Sequence, residues 1–529
     1  MENKRSIDFR LAGMDEKQMD KVKFFRRRQF ALGPEHLNLE GWKRYYVAEH
    51  YCLTVHPDLS VNEVHRASRS IILLGYIIDP YHPESNETEI ISAMVDKINS
   101  VDDVAAYLEW MSGRFVLIVR MNSNNNWLFH DAVGLRQVLY CRDEHGRIWC
   151  ASQAETLAER LRFSMDEEVI KYYNSPMFKE GRCEFWLINN RTPYKEILHL
   201  LPNHYLDLKR GEAIRFWPTK NCIASLSVDE GVRLSVPILR KSIEAVSRKF
   251  EVKMGITAGL DSRRTLAATK DLKEKILYFT LEHDLCGIDS ANIKVPGQLL
   301  PKIGIQHYVL NRKVMSDDFR NYYEANATLA RVRNGNIAYM LFYHFGIDVF
   351  VMNSNLSEIS QCNYWLPKSK INGQGLAIIT GLYHPLAIKE FDKWIQDARI
   401  ACENSGVNIL GLFHWEQRGG RWAAAAFSEY DIAHESFTPY SNRYLIKVLM
   451  GISERYRRDR MRHVPLRQIQ YMWPEVLSEP INPGSAPGER LREFLRRKVL
   501  HKYVTPWVPI YEYCRFWVKR KRMEKNNTI

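Results

Sequence analysis

The stretch Lys253–Ala268, KMGITAGLDSRRTLAA, sets a turn of small residues between an apolar run and a helix-like segment, and the turn ends on Asp-Ser. Two readings fit these residues. In one, Thr257, Ala258 and Gly259 let backbone N–H groups approach a phosphate, and the start of the next helix adds the positive end of its dipole. Asp261 can then hold Mg2+, while the Thr257 and Ser262 hydroxyls donate to phosphate oxygens. In the other, Asp261 and Ser262 are helix caps after a glycine turn. Short glycine motifs do not separate these readings, so the neighbouring sequence has to decide.

Downstream of about residue 229, the apolar runs KMGI, ILYFT, HYVL and DVFVM alternate with helical stretches, the pattern of a parallel α/β sheet. Ligands of such sheets sit at the carboxyl ends of the strands, which is where TAGLDS falls. Upstream of about residue 225 the runs SIILLGYII, GRFVLIVRM, NWLFHD, QVLYC, RIWCAS and HYLDLKRGEAIRFW are short, β-like and separated by turn residues, which predicts an antiparallel, β-rich domain. Between the two, TKNCIASLS reads as a linker. It is followed by a helix, with Val232, Leu234, Val236, Leu239, Ile243 and Val246 near helical spacing. Beyond about residue 376 the chain reads as mostly helical, and INPGSAPGE precedes a basic end. The expected organisation is residues 1–225, residues 226–485 and a tail at 486–529, since 529 residues exceed a single core.

The formal charge of +13 invites a nucleic-acid reading. From Glu489 to Ile529, however, twelve Lys or Arg face four Glu, so most of the excess lies in the tail. That tail mixes aromatics with a basic cluster. It could dock on an anionic membrane surface, a nucleic acid or an acidic partner protein, or be a solubilising tail after the last packed helix. Nine scattered cysteines with no CxxC pair, no apolar segment of a signal peptide and no membrane-length apolar run lead to the expectation of a cytoplasmic setting.

TAGLDS resembles the SGGxDS pyrophosphate loop of the asparagine synthetase class of ATP-pyrophosphatase ligases, with Thr for Ser and Ala for the first Gly. Further segments resemble that family in its own order. Tyr278–Leu310 is similar to its second strand, acidic-residue helix and third strand, with Asp289 at the acidic position. EQRGGRWAAAA is similar to the D-R-x-x-M helix through Arg418, and HESFTPYSN to the E-x-R-x-P-F-L-D segment through Glu435, Pro439 and Tyr440. Ahead of the loop, GRFVLIV, HDAVGLRQVLY, WCASQAETL and TPYKEILHLLPNHYLDL resemble strings of the family's amino-terminal domain. The likeness spans about residues 70 to 480. It implies an Ntn-type α+β amidotransferase-like domain followed by a PP-loop parallel α/β domain with a helical carboxyl-terminal part.

On the same resemblance the chain is a carbon–nitrogen ligase that uses ATP and Mg2+, adenylates a carboxylate and forms an amide. Thr257, Ala258, Gly259, Asp261 and Ser262 would hold the triphosphate, Leu281 the adenine, and Asp261 the metal. Glu435 or Glu358 would be the candidate base or orienting acid for the amine.

The departures matter as much as the matches. Family amidotransferases use an amino-terminal cysteine, whereas residue 2 here is Glu2, and the N-G-E string of the glutamine pocket reads Leu74-Gly75-Tyr76. Glutamine hydrolysis is therefore not expected, as in the β-lactam synthetases and lasso-peptide cyclases, and the amine would be ammonia or a substrate amino group. The family's S-G-E-G-x-D-E appears as MNSNLSEISQCNYW, with Ser357 at an Asp position. Its catalytic lysine is replaced by His463, leaving Arg460, Arg462 or Arg467 to supply positive charge. These losses keep a second reading open, a nucleotide-binding scaffold or sensor of the same fold. A nucleic-acid-modifying pyrophosphatase would suit the tail but not the amino-terminal domain.

Overall fold

A computed structural model describes residues 21–48, 51–122, 125–179, 186–282, 287, 289–327, 329–458 and 462–483. The basic tail, Arg460 and most of the linker after INPG lie outside them. In the amino-terminal half the described strands are β1 Phe30–Gly33, β2 Lys43–Ala48, β3 Tyr51–Val55, β4 Val61–Arg66, β5 Arg69–Ile78, β6 Ser112–Arg120, β7 Asn126–His130, β8 Leu139–Arg142, β9 Ile148–Ala151, β10 Leu198–His199, β11 His204–Asp207 and β12 Glu212–Arg215. They form two antiparallel sheets, ordered β10-β8-β9-β1-β3-β2 and β12-β11-β7-β6-β5-β4.

Strand β5 explains how the sheets are stacked. It is apolar on both faces, and successive side chains point opposite ways. Ile72 and Leu74 join Phe30, Leu53 and Val55 between the two sheets. Ile71, Leu73 and Ile77 face helices α1 (Glu87–Lys97) and α2 (Val101–Leu108), whose inner sides carry Ile91, Met94 and Val104. On the far side, α3 (Ala154–Leu161) covers the first sheet through Leu157 packed near Trp149. The layers therefore run helix, sheet, sheet, helix.

The second half opens with α4 (Val228–Lys249), started by a capping box in which Ser227 and Glu230 satisfy each other's backbone N–H groups. Strands β13 (Val252–Gly255), β14 (Leu277–Leu281), β15 (His307–Leu310), β16 (Val349–Met352) and β17 (His434–Phe437) form one parallel sheet in the order β15-β14-β13-β16-β17. Four of them are the predicted apolar runs. The fifth, HESF, is not strand-like in sequence, because its first two residues are ionisable. Helices α5 (Leu260–Ala268) and α6 (Ala291–Lys302) follow β13 and β14, and α7 (His463–Met472) packs on α4 and α5.

The halves share one core. Tyr76, Ile78, Val133 and Trp186 from the first pack in one cluster with Val252, Phe350, Trp415 and Tyr440 from the second. The amino-terminal end of the described chain also belongs to the second half, since Phe24 is buried with Phe319, Phe342 and Ile432 before the chain enters β1.

Candidate functional site

Counted along the chain, the parallel sheet has the strand order 3-2-1-4-5, which reverses direction between β13 and β16. The loops after two such strands lead away to opposite sides and leave a crevice, the usual ligand position of open α/β sheets. TAGLDS follows β13, and Asn353–Gln361 follows β16. The turn therefore stands at the one place in this sheet where topology alone predicts a site.

Within the turn, Gly259 is the N-cap of α5 and gives it no side-chain cap, so neither Asp261 nor Ser262 caps the helix. Ser262 instead closes the loop on itself. Its Oγ lies 3.2 Å from the Thr257 backbone nitrogen, which donates to it, and 3.1 Å from Thr257 Oγ1. The Gly259 N–H donates to Thr257 Oγ1 at 3.1 Å, and the Ala258 N–H to Asn292 Oδ1 of α6 at 3.3 Å. All three loop N–H groups thus point at oxygen atoms of nearby side chains. Asn482 closes the other side by donating its backbone N–H to the Ala258 carbonyl at 3.0 Å. Arg263 holds that strap, reaching the carbonyls of Glu479 and Pro480.

Asp261 faces the loop after β16. Its Oδ1 accepts from Ser357 Oγ at 2.5 Å and from Gln361 Nε2 at 2.8 Å. Ser357, the residue standing where the family has an acid, is thereby a direct partner of Asp261. Glu358 sits beside them, partly exposed, and burial together with the nearby Asp261 charge pushes its carboxyl up to about 7. Arg264, fully buried one turn into α5, donates to the Ser357 carbonyl and to Ser360 Oγ, and lies 4.9 Å over the Tyr440 ring. This arginine ties the three loops at the crevice together. Nothing in the sequence signals this role, because its partners Ser357 and Ser360 lie more than ninety positions away.

Other expected residues stand elsewhere. Leu281 ends β14 at the same edge of the sheet, half-buried. Asp289 is exposed and pairs with Lys294 at 3.0 Å; the neighbour that reaches the loop is Asn292. Helix α7 runs parallel to α4, as the pairs Arg467–Asp229, Gln468–Ser235 and Met472–Arg240 show, so its His463 end lies at the loop end of the sheet. Arg467 itself is spent on an exposed pair with Asp229 at 2.7 Å and does not face the loop from that position.

Glu435, expected as a base or orienting acid, is the buried acceptor of an arginine cluster. Arg114 and Arg136 each donate to it at 2.8 Å, and Arg28 lies 4.0 Å away. Asp431 shares Arg114 through bonds of 2.5 and 2.7 Å. Against the cost of burial, the arginines, Arg136 foremost, hold the Glu435 carboxyl down at about 2. A carboxylate this well paired is a weak proton acceptor.

In the Leu74-Gly75-Tyr76 segment, Tyr76 is buried against Phe250 and Phe350 of the second half and donates its hydroxyl to the Ser436 carbonyl at 2.7 Å. Gly75 keeps φ +95°, and an added Cβ would stand 2.4 Å from the Arg114 carbonyl. The start of β1 is preceded by the buried, ion-paired Arg26, Arg27 and Arg28. Among the described residues no cluster of three or more Asp, Glu, His or Cys converges as a metal site. No protein-family model matches the chain, and no curated protein matches it.

Proposed function

We propose that the chain is an asparagine synthetase-like, AMP-forming ligase that activates a carboxylate with ATP and joins it to ammonia or a substrate amine without hydrolysing glutamine. The observation that carries the reading is the position of Asp261. It sits at the start of a helix, after a small-residue turn, at the reversal point of a parallel sheet, with Glu358 beside it. The layered antiparallel sheets of the first half agree with an Ntn-type domain, and the 3-2-1-4-5 sheet with a PP-loop domain.

The residues fit the expected cosubstrates. Mg2+ is commonly held by one or two carboxylates plus substrate phosphates, so Asp261 suffices without a third acid. When bound, the ion would neutralise charge on the departing pyrophosphate. The N–H groups of Thr257, Ala258 and Gly259 would turn from their side-chain partners to phosphate oxygens, and the strap at Asn482 would yield. With the triphosphate there, the substrate carboxylate attacks the α-phosphorus, pyrophosphate leaves, and the amine attacks the acyl carbon of the adenylate, forming the amide as AMP leaves. Glu358, with a carboxyl near neutrality, is suited to take the proton the amine loses. Arg462, next to His463 at the loop end of α7, supplies positive charge in place of the lysine.

A second reading, a nucleotide-binding scaffold, is favoured by one specific observation: the loop N–H groups are already satisfied internally. One experiment separates the two. The full chain is incubated with ATP, Mg2+ and pools of carboxylates and amines, and nucleotide binding, AMP and pyrophosphate are measured. AMP and pyrophosphate formation that disappears in Asp261→Asn supports the ligase. ATP binding without AMP supports the scaffold, and absence of binding sinks both.

A further inference from the structure

Away from the loop, a cavity of about 70 Å³ lies between the two halves, lined by Trp186, His199 and Gln137 of the first and by Arg331, Arg421 and Glu429 of the second. Its polar groups are out of balance. Arg421, on the π-helical segment His414–Ala423, is buried and, among the described residues, donates only to main-chain carbonyls, Nε to Leu187 at 3.0 Å and Nη2 to Arg191. The acid in the cavity wall does not compensate it. Glu429 is committed to Arg331, whose Nε donates to both of its oxygens at 2.9 and 3.0 Å, and to Asn334.

His199 is 2% exposed, and among the described residues neither of its ring nitrogens, nor the Trp186 indole N–H, has a hydrogen-bond partner of good geometry. Buried polar groups are almost always satisfied, and buried charges almost always paired. A guanidinium with no counter-charge, an indole N–H and a neutral imidazole converging on one cavity therefore form a donor-rich lining with a missing acceptor. The Arg421 guanidinium is held down to about 9 by burial alone, as expected for a charge left without a partner.

We propose that this interdomain cavity is a binding site for a small oxyanion, a carboxylate or phosphate group, held by Arg421, His199 and Trp186. The cavity has room for one such group or for several waters. Arg421 offers the planar fork that recognises both head groups. The site is separate from the loop at Asp261. The π-helical segment links the two, since Arg418, whose charge acts on Glu358, stands one turn before Arg421. Single π-helical turns recur at functional sites because they redirect side chains by one position.

The test is isothermal titration of the full chain with inorganic phosphate and, separately, with acetate, at constant ionic strength set by chloride. Saturable heat with one of them supports the site and identifies the head group. In Arg421→Met and in His199→Phe the affinity is expected to fall about tenfold or more. Without anion, R421M is expected to melt no lower than the parent chain, because it removes an uncompensated buried charge. That measurement separates lost binding from lost folding, and H199F carries the test if R421M does not fold. Absence of saturable heat with either anion, or equal affinity in a folded R421M, overturns the proposal and leaves a cavity filled by water.

Discussion

Replacing Glu435 by Gln tests whether the arginine cluster is what joins the halves. The Glu435 carboxyl falls from its ordinary 4.5 to about 2 when the chain folds, because Arg136, Arg114 and Arg28 surround it. A drop of that size is linked to roughly 3 kcal/mol of stability at neutral pH. The sign follows from the direction: the folded value lies below the unfolded one, so the contribution is complete above the unfolded value and is lost as pH falls toward 2. At pH 3 only about 1 kcal/mol of it remains. Glu435→Gln should therefore lower stability by about 3 kcal/mol at pH 7, and the gap to the parent chain should shrink steadily below pH 4.5. Urea denaturation followed by tryptophan fluorescence at pH 7, 5, 4 and 3 measures both quantities. Denaturation curves that stay equally far apart at every pH would refute the assignment of the stability to this carboxylate.

Four other outcomes follow from the geometry. Gly75→Ala should cost about 2–4 kcal/mol by thermal denaturation, because the site needs positive φ and has the Arg114 carbonyl where a methyl would go. Tyr76→Phe should cost about 1 kcal/mol, since it removes one buried hydrogen bond to Ser436 while leaving the ring packed; no change in melting would show that the bond is not formed. Ser227→Ala removes the cap of α4 and should cost about 1 kcal/mol, measured the same way. Asp261→Asn should leave stability within about 0.5 kcal/mol, because Asn can still accept from Ser357 and Gln361. The same variant should weaken Mg2+-dependent nucleotide binding, read by fluorescence of a labelled ATP analogue.

The parallel sheet was legible because KMGI, ILYFT, HYVL and DVFVM are short apolar runs, and fully buried strands need nothing else. Strand β17 was not, because His434 and Glu435 are ionisable residues buried by partners more than three hundred residues away in Arg114 and about the same in Arg136. Long-range ion pairs leave no local periodicity to read. The same reason explains why the arginine partners of Glu435 were not foreseen. Ser357 was read as standing at a family Asp position, but only the fold brings its hydroxyl to Asp261, since the two lie 96 positions apart. Arg467 looked available because nothing near it in sequence is acidic, whereas its partner Asp229 comes from the start of α4.

The path of the chain before β1 has a practical consequence. Arg27 donates its backbone N–H to Asn326 Oδ1 at 2.6 Å, its Nε to Asp58 at 2.7 Å and its Nη1 to the Ile432 carbonyl at 2.9 Å. One residue thus grips both halves, and Phe24 just ahead of it is embedded in the second. A protease cut between residues 219 and 225 would consequently yield two fragments that co-elute on gel filtration, because the amino-terminal fragment is threaded into its sequel rather than merely resting against it.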